Sequence, residues 1–231
     1  MTITLSLSNL CKQFGSNVAL NKLSFELTAG EFTLLLGANG AGKSSLMRIL
    51  AQLSRPDSGE VRFNGERPSA KQLKQGGFIT HEPLLYSSLT VYENLSLAST
   101  LSGYGCDLHE YLALWDLKAH RNKLVSTLSR GLSFRAGLAR ALIHNPPFLF
   151  LDEPSASLDL QSVEILLNYL QSRKNKETVA LISTHDFLRL HRIADRILVL
   201  KSGQIVYDSR NSNQGKFNAE SVGSIYLNYA Q

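Results

Sequence analysis

Gly37-Ala38-Asn39-Gly40-Ala41-Gly42-Lys43-Ser44 decides the fold. It matches G-x-x-x-x-G-K-[ST], a loop whose backbone N–H groups converge on phosphate oxygens. The apolar run Phe32-Thr33-Leu34-Leu35-Leu36 precedes it. Leu46, Ile49, Leu50 and Leu53 follow it at the i, i+3, i+4, i+7 spacing of a helix face. Strand, glycine loop and helix in that order set the positive end of the helix beside a bound phosphate. Lys43 then supplies a point charge for β- and γ-phosphates, and Ser44 a hydroxyl for Mg²⁺.

Upstream, Ile3, Leu5 and Leu7 alternate with polar residues, as do Leu23, Phe25 and Leu27. That alternation marks half-buried strands. Downstream, Arg55-Pro56-Asp57-Ser58-Gly59 ends the first helix, and Val61–Asn64 with Gly65 reads as another hairpin. The stretch from about Pro83 to Asn145 is helix-prone, with apolar spacing in Leu108–Leu117 and Phe134–Leu142, until Pro146-Pro147 ends it. Then a strand is predicted at 148–152, a helix at 161–171, a strand at 178–183, a helix at 186–194 and strands at 196–200 and near 204–208. Strand–helix alternation predicts a largely parallel α/β sheet, completed by an antiparallel N-terminal β portion and an inserted helical block. The polar tail Asn211–Gln231 carries no readable element.

Of the 231 residues, 43% are hydrophobic, enough for a substantial core and too many for a disordered chain. No apolar stretch approaches the roughly 18–20 residues of a membrane-spanning helix. Residues 1–10 lack the basic and apolar regions of a signal peptide. Cys11 and Cys106 stand far apart, which suits a reducing compartment and argues against a disulfide framework or a zinc site. A cytosolic chain is expected. Lys and Arg total 24 against 19 Asp and Glu, a net +5 scattered without a basic run. That is an ordinary solvated surface, and no nucleic-acid partner is expected.

A second motif narrows the chemistry. Phe148-Leu149-Phe150-Leu151-Asp152-Glu153 is an apolar strand ending in two acids. Asp152 is placed to hold Mg²⁺, directly or through water, and Glu153 to act as general base on the attacking water.

With these residues the chain resembles the ATP-binding-cassette ATPases over roughly residues 2–208. Leu128-Ser129-Arg130-Gly131-Leu132 opens a helix about twenty residues before Asp152 and matches three of five positions of the family signature, usually L-S-G-G-Q. Ala156-Ser157-Leu158-Asp159 looks like the D-loop, His185 falls at the switch histidine, and Phe14 stands at the aromatic position that stacks on adenine. Leu89-Thr90-Val91-Tyr92-Glu93-Asn94-Leu95 is the phrase that follows the Q-loop.

The resemblance implies a P-loop NTPase of the ABC type, an α/β nucleotide-binding domain with a mixed sheet. Its core would span about 1–82 and 146–208, the helical subdomain about 83–145 and a short tail 209–231. It implies ATP and Mg²⁺ as ligands, and a second nucleotide-binding subunit, identical or different, packed head to tail. ATP would be held by Phe14, by Gly37 to Ser45 (Gly37, Ala38, Asn39, Gly40, Ala41, Gly42, Lys43, Ser44 and Ser45), and from across the seam by Ser129 and Gly131. Glu153 and His185 would be catalytic, and Ser44, Asp152 and His81 would face the metal. It also implies separate transmembrane permease subunits and a peripheral place on the cytoplasmic face of the membrane.

Three positions depart from the pattern. Arg130 replaces the first signature glycine, Leu132 replaces the glutamine, and His81 in Ile79-Thr80-His81-Glu82-Pro83 stands where the Q-loop glutamine is usual. An imidazole accepts a hydrogen bond in its neutral form but adds a titration that an amide lacks. Within the family the chain looks most like the ATP-binding subunit of the haem exporter of cytochrome c biogenesis. That likeness rests on small size, on Leu50-Ala51-Gln52-Leu53-Ser54-Arg55-Pro56-Asp57-Ser58-Gly59-Glu60-Val61 and on the histidine before Pro83. Alternatives are the ATPase of another exporter, for drugs, lipids or ions, and a soluble ATPase of translation or DNA repair. The repair type would carry a long coiled-coil insertion, for which the gap from Ser45 to Leu128 has no room.

Overall fold

The computed structural model describes residues 3–68, 76–80, 82–174, 177–211 and 217–230. Strands β1 (Thr4–Phe14), β2 (Asn17–Thr28) and β4 (Ser58–Phe63) form an antiparallel sheet in the order β2-β1-β4. The N-terminal alternation thus gives two long strands joined by a tight turn at Gly15-Ser16. The hairpin expected at Val61–Asn64 with Gly65 is present as a tight turn: Phe63 and Glu66 bridge antiparallel around Asn64-Gly65, both with positive φ. Val61–Phe63 belong to β4, which ladders on β1 with Leu7 opposite Val61 and Leu5 opposite Phe63.

The second sheet has six strands in the order β5-β6-β7-β3-β8-β9. They are β3 (Phe32–Leu36), β5 (Gly76–Ile79), β6 (Phe148–Asp152), β7 (Val179–Ser183), β8 (Arg196–Lys201) and β9 (Gln204–Asp208). All neighbours run parallel except β8 and β9. Every residue of β3, β6 and β7 is buried, as parallel strands covered on both faces require. Their register sets Asp152 of β6 and Leu35 of β3 opposite Ser183 of β7. Three strand ends therefore finish level, and the loops leaving them meet in one place.

Helix α1 (Lys43–Leu50) packs Leu46, Met47, Ile49 and Leu50 into a core shared by both sheets. It stops at Ala51, so Leu53 lies beyond the helix and is exposed, contrary to the spacing. The chain leaves through Gln52, whose positive φ of 60° breaks the helical path.

The helix-prone stretch contains α2 (Val91–Ser102), α3 (Leu108–Leu114) and α4 (Arg130–Leu142). Thr90 and Glu93 close a reciprocal cap at the start of α2. Buried Trp115 sits 5.2 Å from the Tyr169 ring of α5 (Leu160–Ser172). Buried Arg135 of α4 donates to Asp116 and Ser162, each at 3.3 Å. These contacts fix α4 against the start of α5.

The helix predicted at 186–194 is shorter: α6 (Phe187–Leu190) gives way to a tighter turn at His191–Ile193. The tail that carried no readable element contains α7 (Ala219–Tyr229), capped by Asn218 and anchored by buried Val222 and Ile225. Among the described residues no helix is long and apolar enough to cross a membrane. Cys11 and Cys106 are both free.

Candidate active site

The loop between β3 and α1 is shaped by Gly42. Its φ is +109°, and a Cβ there would lie 2.2 Å from the Ala19 carbonyl oxygen, so only glycine fits. That close approach starts α1 at Lys43, a residue only 6% exposed. The Lys43 ammonium donates to the carbonyl oxygens of Gly37 (2.6 Å) and Ala38 (3.1 Å) and lies 3.2 Å from His185 Nε2. Burial pushes its pKa down, while the nearby carboxylates of Glu153 and Asp152 pull the other way. A partly desolvated ammonium gains strongly from an anionic ligand.

At the end of β6, Asp152 is 6% exposed and accepts a 2.5 Å hydrogen bond from the Ser183 hydroxyl. The Glu153 amide donates to Ser183, to its carbonyl oxygen at 3.2 Å and to its hydroxyl at 3.1 Å. Glu153 itself is left-handed, with φ +51°. Such a conformation costs a non-glycine residue about 1–3 kcal/mol and persists where the surroundings enforce it. Here the Ser183 bonds enforce it, and the turn aims the carboxylate across at His185. Glu153 Oε2 accepts from the His185 amide at 3.0 Å, while Oε1, 3.4 Å from His185 Nε2, is buried without a hydrogen-bond partner. An orphaned carboxylate oxygen beside an imidazole is poised to accept a proton or to hold a water.

These groups open on a cleft of about 280 Å³ lined by Phe14, Asn17, Ala19, residues 38–45, Asp152, Glu153 and His185. Phe14 ends β1 half exposed, with the Lys12 ammonium 5.2 Å from its ring centroid. It offers a flat apolar face at the rim, as a purine base needs. Ser44 and Asp152 give hard oxygen donors suited to Mg²⁺. No cluster of three or more His, Cys, Asp or Glu capable of holding a metal exists among the described residues. The donors thus fit a Mg²⁺ that takes its remaining ligands from phosphate and water, as this ion commonly does.

The predicted residues divide. Phe14, Ala38 to Ser45, Asp152, Glu153 and His185 converge on the cleft. Gly37 does not line it, and contributes its carbonyl to Lys43 from behind. Ser129 and Gly131 are also absent from the lining. Ser129 caps α4, its oxygen accepting from the Leu132 amide at 3.3 Å, which leaves its own hydrogen to donate outward. A Cβ on Gly131 would lie 3.3 Å from the Ser157 carbonyl, so the signature borders this chain's own Ala156–Asp159 segment. Arg130 is exposed on the first turn. His81 lies outside the described residues. Sequence reasoning missed Asn17 and Ala19, which line the cleft, and Ser183, whose hydroxyl donates to the Asp152 carboxylate and accepts from the Glu153 amide. The signal of Ser183 was its place at the end of the strand next to β6, legible only once the strand order is known.

The ABC transporter family model matches residues 20–156. The chain is 32% identical over 219 residues to the lantibiotic transport ATP-binding protein SrtF of Streptococcus pyogenes, covering 93% of this chain and 96% of that protein. It is 34% identical over 206 residues to the uncharacterized ABC transporter ATP-binding protein YxlF of Bacillus subtilis, covering 87% and 69%. A probable sulfate/thiosulfate import ATP-binding protein of Chlorella vulgaris is 33% identical, covering 88% and 90%. Among solved structures, an ATP-binding subunit of an ABC transporter superposes with a TM-score of 0.82 at 25% identity, covering 96% of this chain and 99% of the other. A dimeric cassette in a post-hydrolysis state with ADP and Pi reaches 0.79 at 26% identity, covering 88% and 97%.

Proposed function

We propose, since this chain belongs to the ABC transporter family, how its ATP hydrolysis is carried out and what the hydrolysis serves. Lys43 and the amides of residues 38–45 bind the phosphates, Phe14 carries the base, and Ser44 with Asp152 would hold Mg²⁺, which would supply positive charge against the phosphate oxygens. Glu153 orients the attacking water and takes its proton. The water oxygen bonds to the γ-phosphorus as its bond to the β–γ bridging oxygen breaks, giving phosphate and ADP, whose terminal oxygen keeps the electron pair. His185 holds the water and the γ-phosphate in line, and Ser183 keeps Asp152 and Glu153 aimed at the cleft.

The second half of the ATP site comes from another nucleotide-binding subunit, through Ser129, Gly131 and the positive end of α4. One observation carries this reading. Four groups with different chemistry, Lys43, Asp152, Glu153 and His185, open on one cleft, while Ser129 and Gly131 face elsewhere. A dimeric relative with ADP and Pi supports it.

In this reading the chain is the ATPase of a transporter, bound to permease subunits at the cytoplasmic face of the membrane, with a core at about 1–82 and 146–208 and a helical subdomain at about 83–145. The finer reading makes it an exporter of the haem and cytochrome c type, resting on the Leu50–Val61 run and on His81 before Pro83. A second reading, the ATPase of another exporter, is favoured by the lantibiotic transport relative, which aligns over 93% of this chain. Mild-detergent pull-down of the tagged chain from its own membranes tests both. Multispanning partners are expected, and the identity of those partners decides the cargo class. Ribosomes or DNA-repair proteins without a membrane chain would overturn the transporter role.

A further inference from the structure

The catalytic reading leaves one side of His185 unaccounted for. Its Nε2 faces Glu153 and Lys43, and its amide is held by Glu153, but the side chain remains 39% exposed. A half-exposed imidazole on a short loop has rotamers that turn it into solvent. The ring of Tyr226, from the tail helix α7, stands against it, with centroids 6.4 Å apart and planes at 83°. That is the edge-to-face arrangement aromatic pairs prefer.

Tyr226 is itself held. Its ring stacks on Phe187, two residues beyond His185, at 5.6 Å and 29°. One turn earlier, Val222 is fully buried, and Ile225 is 4% exposed, so α7 is docked by its apolar side. The Asn218–Ser221 capping box fixes where the helix begins. The tail helix therefore presents a single aromatic ring to the loop that carries His185.

We propose that Tyr226 is a positioning residue for His185, its ring holding the imidazole over Glu153 and Lys43 so that the tail helix sets the rate of hydrolysis. The proposal rests on the catalytic reading of His185 given above. The ring, not the hydroxyl, performs this role.

In the full chain, Tyr226→Ala lowers kcat for ATP about three- to tenfold, the range of a lost aromatic pair. KM and fluorescent-nucleotide affinity stay at wild-type values, and Tyr226→Phe restores kcat. The His185 ring proton resonances, assigned by their loss in His185→Ala, shift in Tyr226→Ala through the missing ring current and stay in place in Tyr226→Phe. Val61→Ala, on β4 and outside the cleft lining, separates lost stability from lost positioning: it lowers the melting temperature and leaves kcat unchanged. Wild-type kcat in Tyr226→Ala, or an equal fall in Tyr226→Phe or Val61→Ala, would overturn the proposal. Wild-type turnover in His185→Ala would instead remove the role of His185 and, with it, this one. An inactive His185→Ala beside a fully active Tyr226→Ala would sink the positioning role alone.

Discussion

The cleft and the signature end of α4 are built on opposite principles. Around the cleft, polar groups are buried and already engaged: Lys43 and Asp152 are each 6% exposed, and Ser183 locks both acids. At the signature, Ser129 and Arg130 are exposed, and the Ser129 side chain only caps the helix that it begins. A buried, partnered set keeps its geometry without help, at the cost of desolvation. An exposed helix end holds only fixed partial charge, which gains its value when a second surface excludes water. One region is preorganised, and in the proposed reading the other is half of a site.

The sharpest way to break that contrast is Glu153→Gln. The variant keeps the shape of the side chain and its acceptor for the His185 amide but cannot take a proton. Steady-state hydrolysis should fall about 10²–10⁴-fold, the usual share of a general base. Nucleotide affinity should persist, and ATP should drive a stable dimer on a sizing column. Wild-type turnover would end the role of Glu153. A monomer in saturating ATP would end the idea that the signature waits for a partner.

Lys43→Ala tests the preorganised half by itself. Loss of a charge-assisted contact worth about 3 kcal/mol corresponds to about a hundredfold weaker ATP binding. A fluorescent-nucleotide titration reads this without any dimer. Normal affinity would mean that the amides of residues 38–45 carry the phosphates unaided.

Much of the cleft was legible in sequence because its chemistry is local: Gly37–Ser44 and Asp152-Glu153 are contiguous runs with their strands attached. What stayed hidden depends on neighbours distant in the chain. Ser183 acquires meaning only when β7 lies beside β6 in register, and the left-handed turn of Glu153 follows from that contact. Leu53 fitted the helix period, yet α1 ends before it. Helix α7 escaped because a docked helix needs only a thin stripe, here Val222, Ile225 and partly buried Tyr226, within a polar segment. Ser129 and Gly131 were read as a signature by resemblance, but nothing in their spacing from Asp152 says that they lie outside this chain's own cleft.

Two serines, one in each region, give the smallest and most direct comparison. Ser183 is fully buried and donates to a carboxylate. Replacing it with Ala strips Asp152 of that donor and the Glu153 amide of one acceptor, which costs about 1.5–3 kcal/mol. Ser129 only caps a helix end in water, so Ser129→Ala costs about 1 kcal/mol. At about 2–4 °C per kcal/mol for a chain of this size, the isolated Ser183→Ala protein should melt several degrees below Ser129→Ala. Placed on Glu153→Gln, Ser129→Ala should also weaken the ATP-driven dimer about tenfold, the value of one hydrogen bond to a charged phosphate. Equal melting points would show that the cleft is no more preorganised than the helix end. An unweakened dimer would leave the Ser129 hydroxyl with capping as its only work.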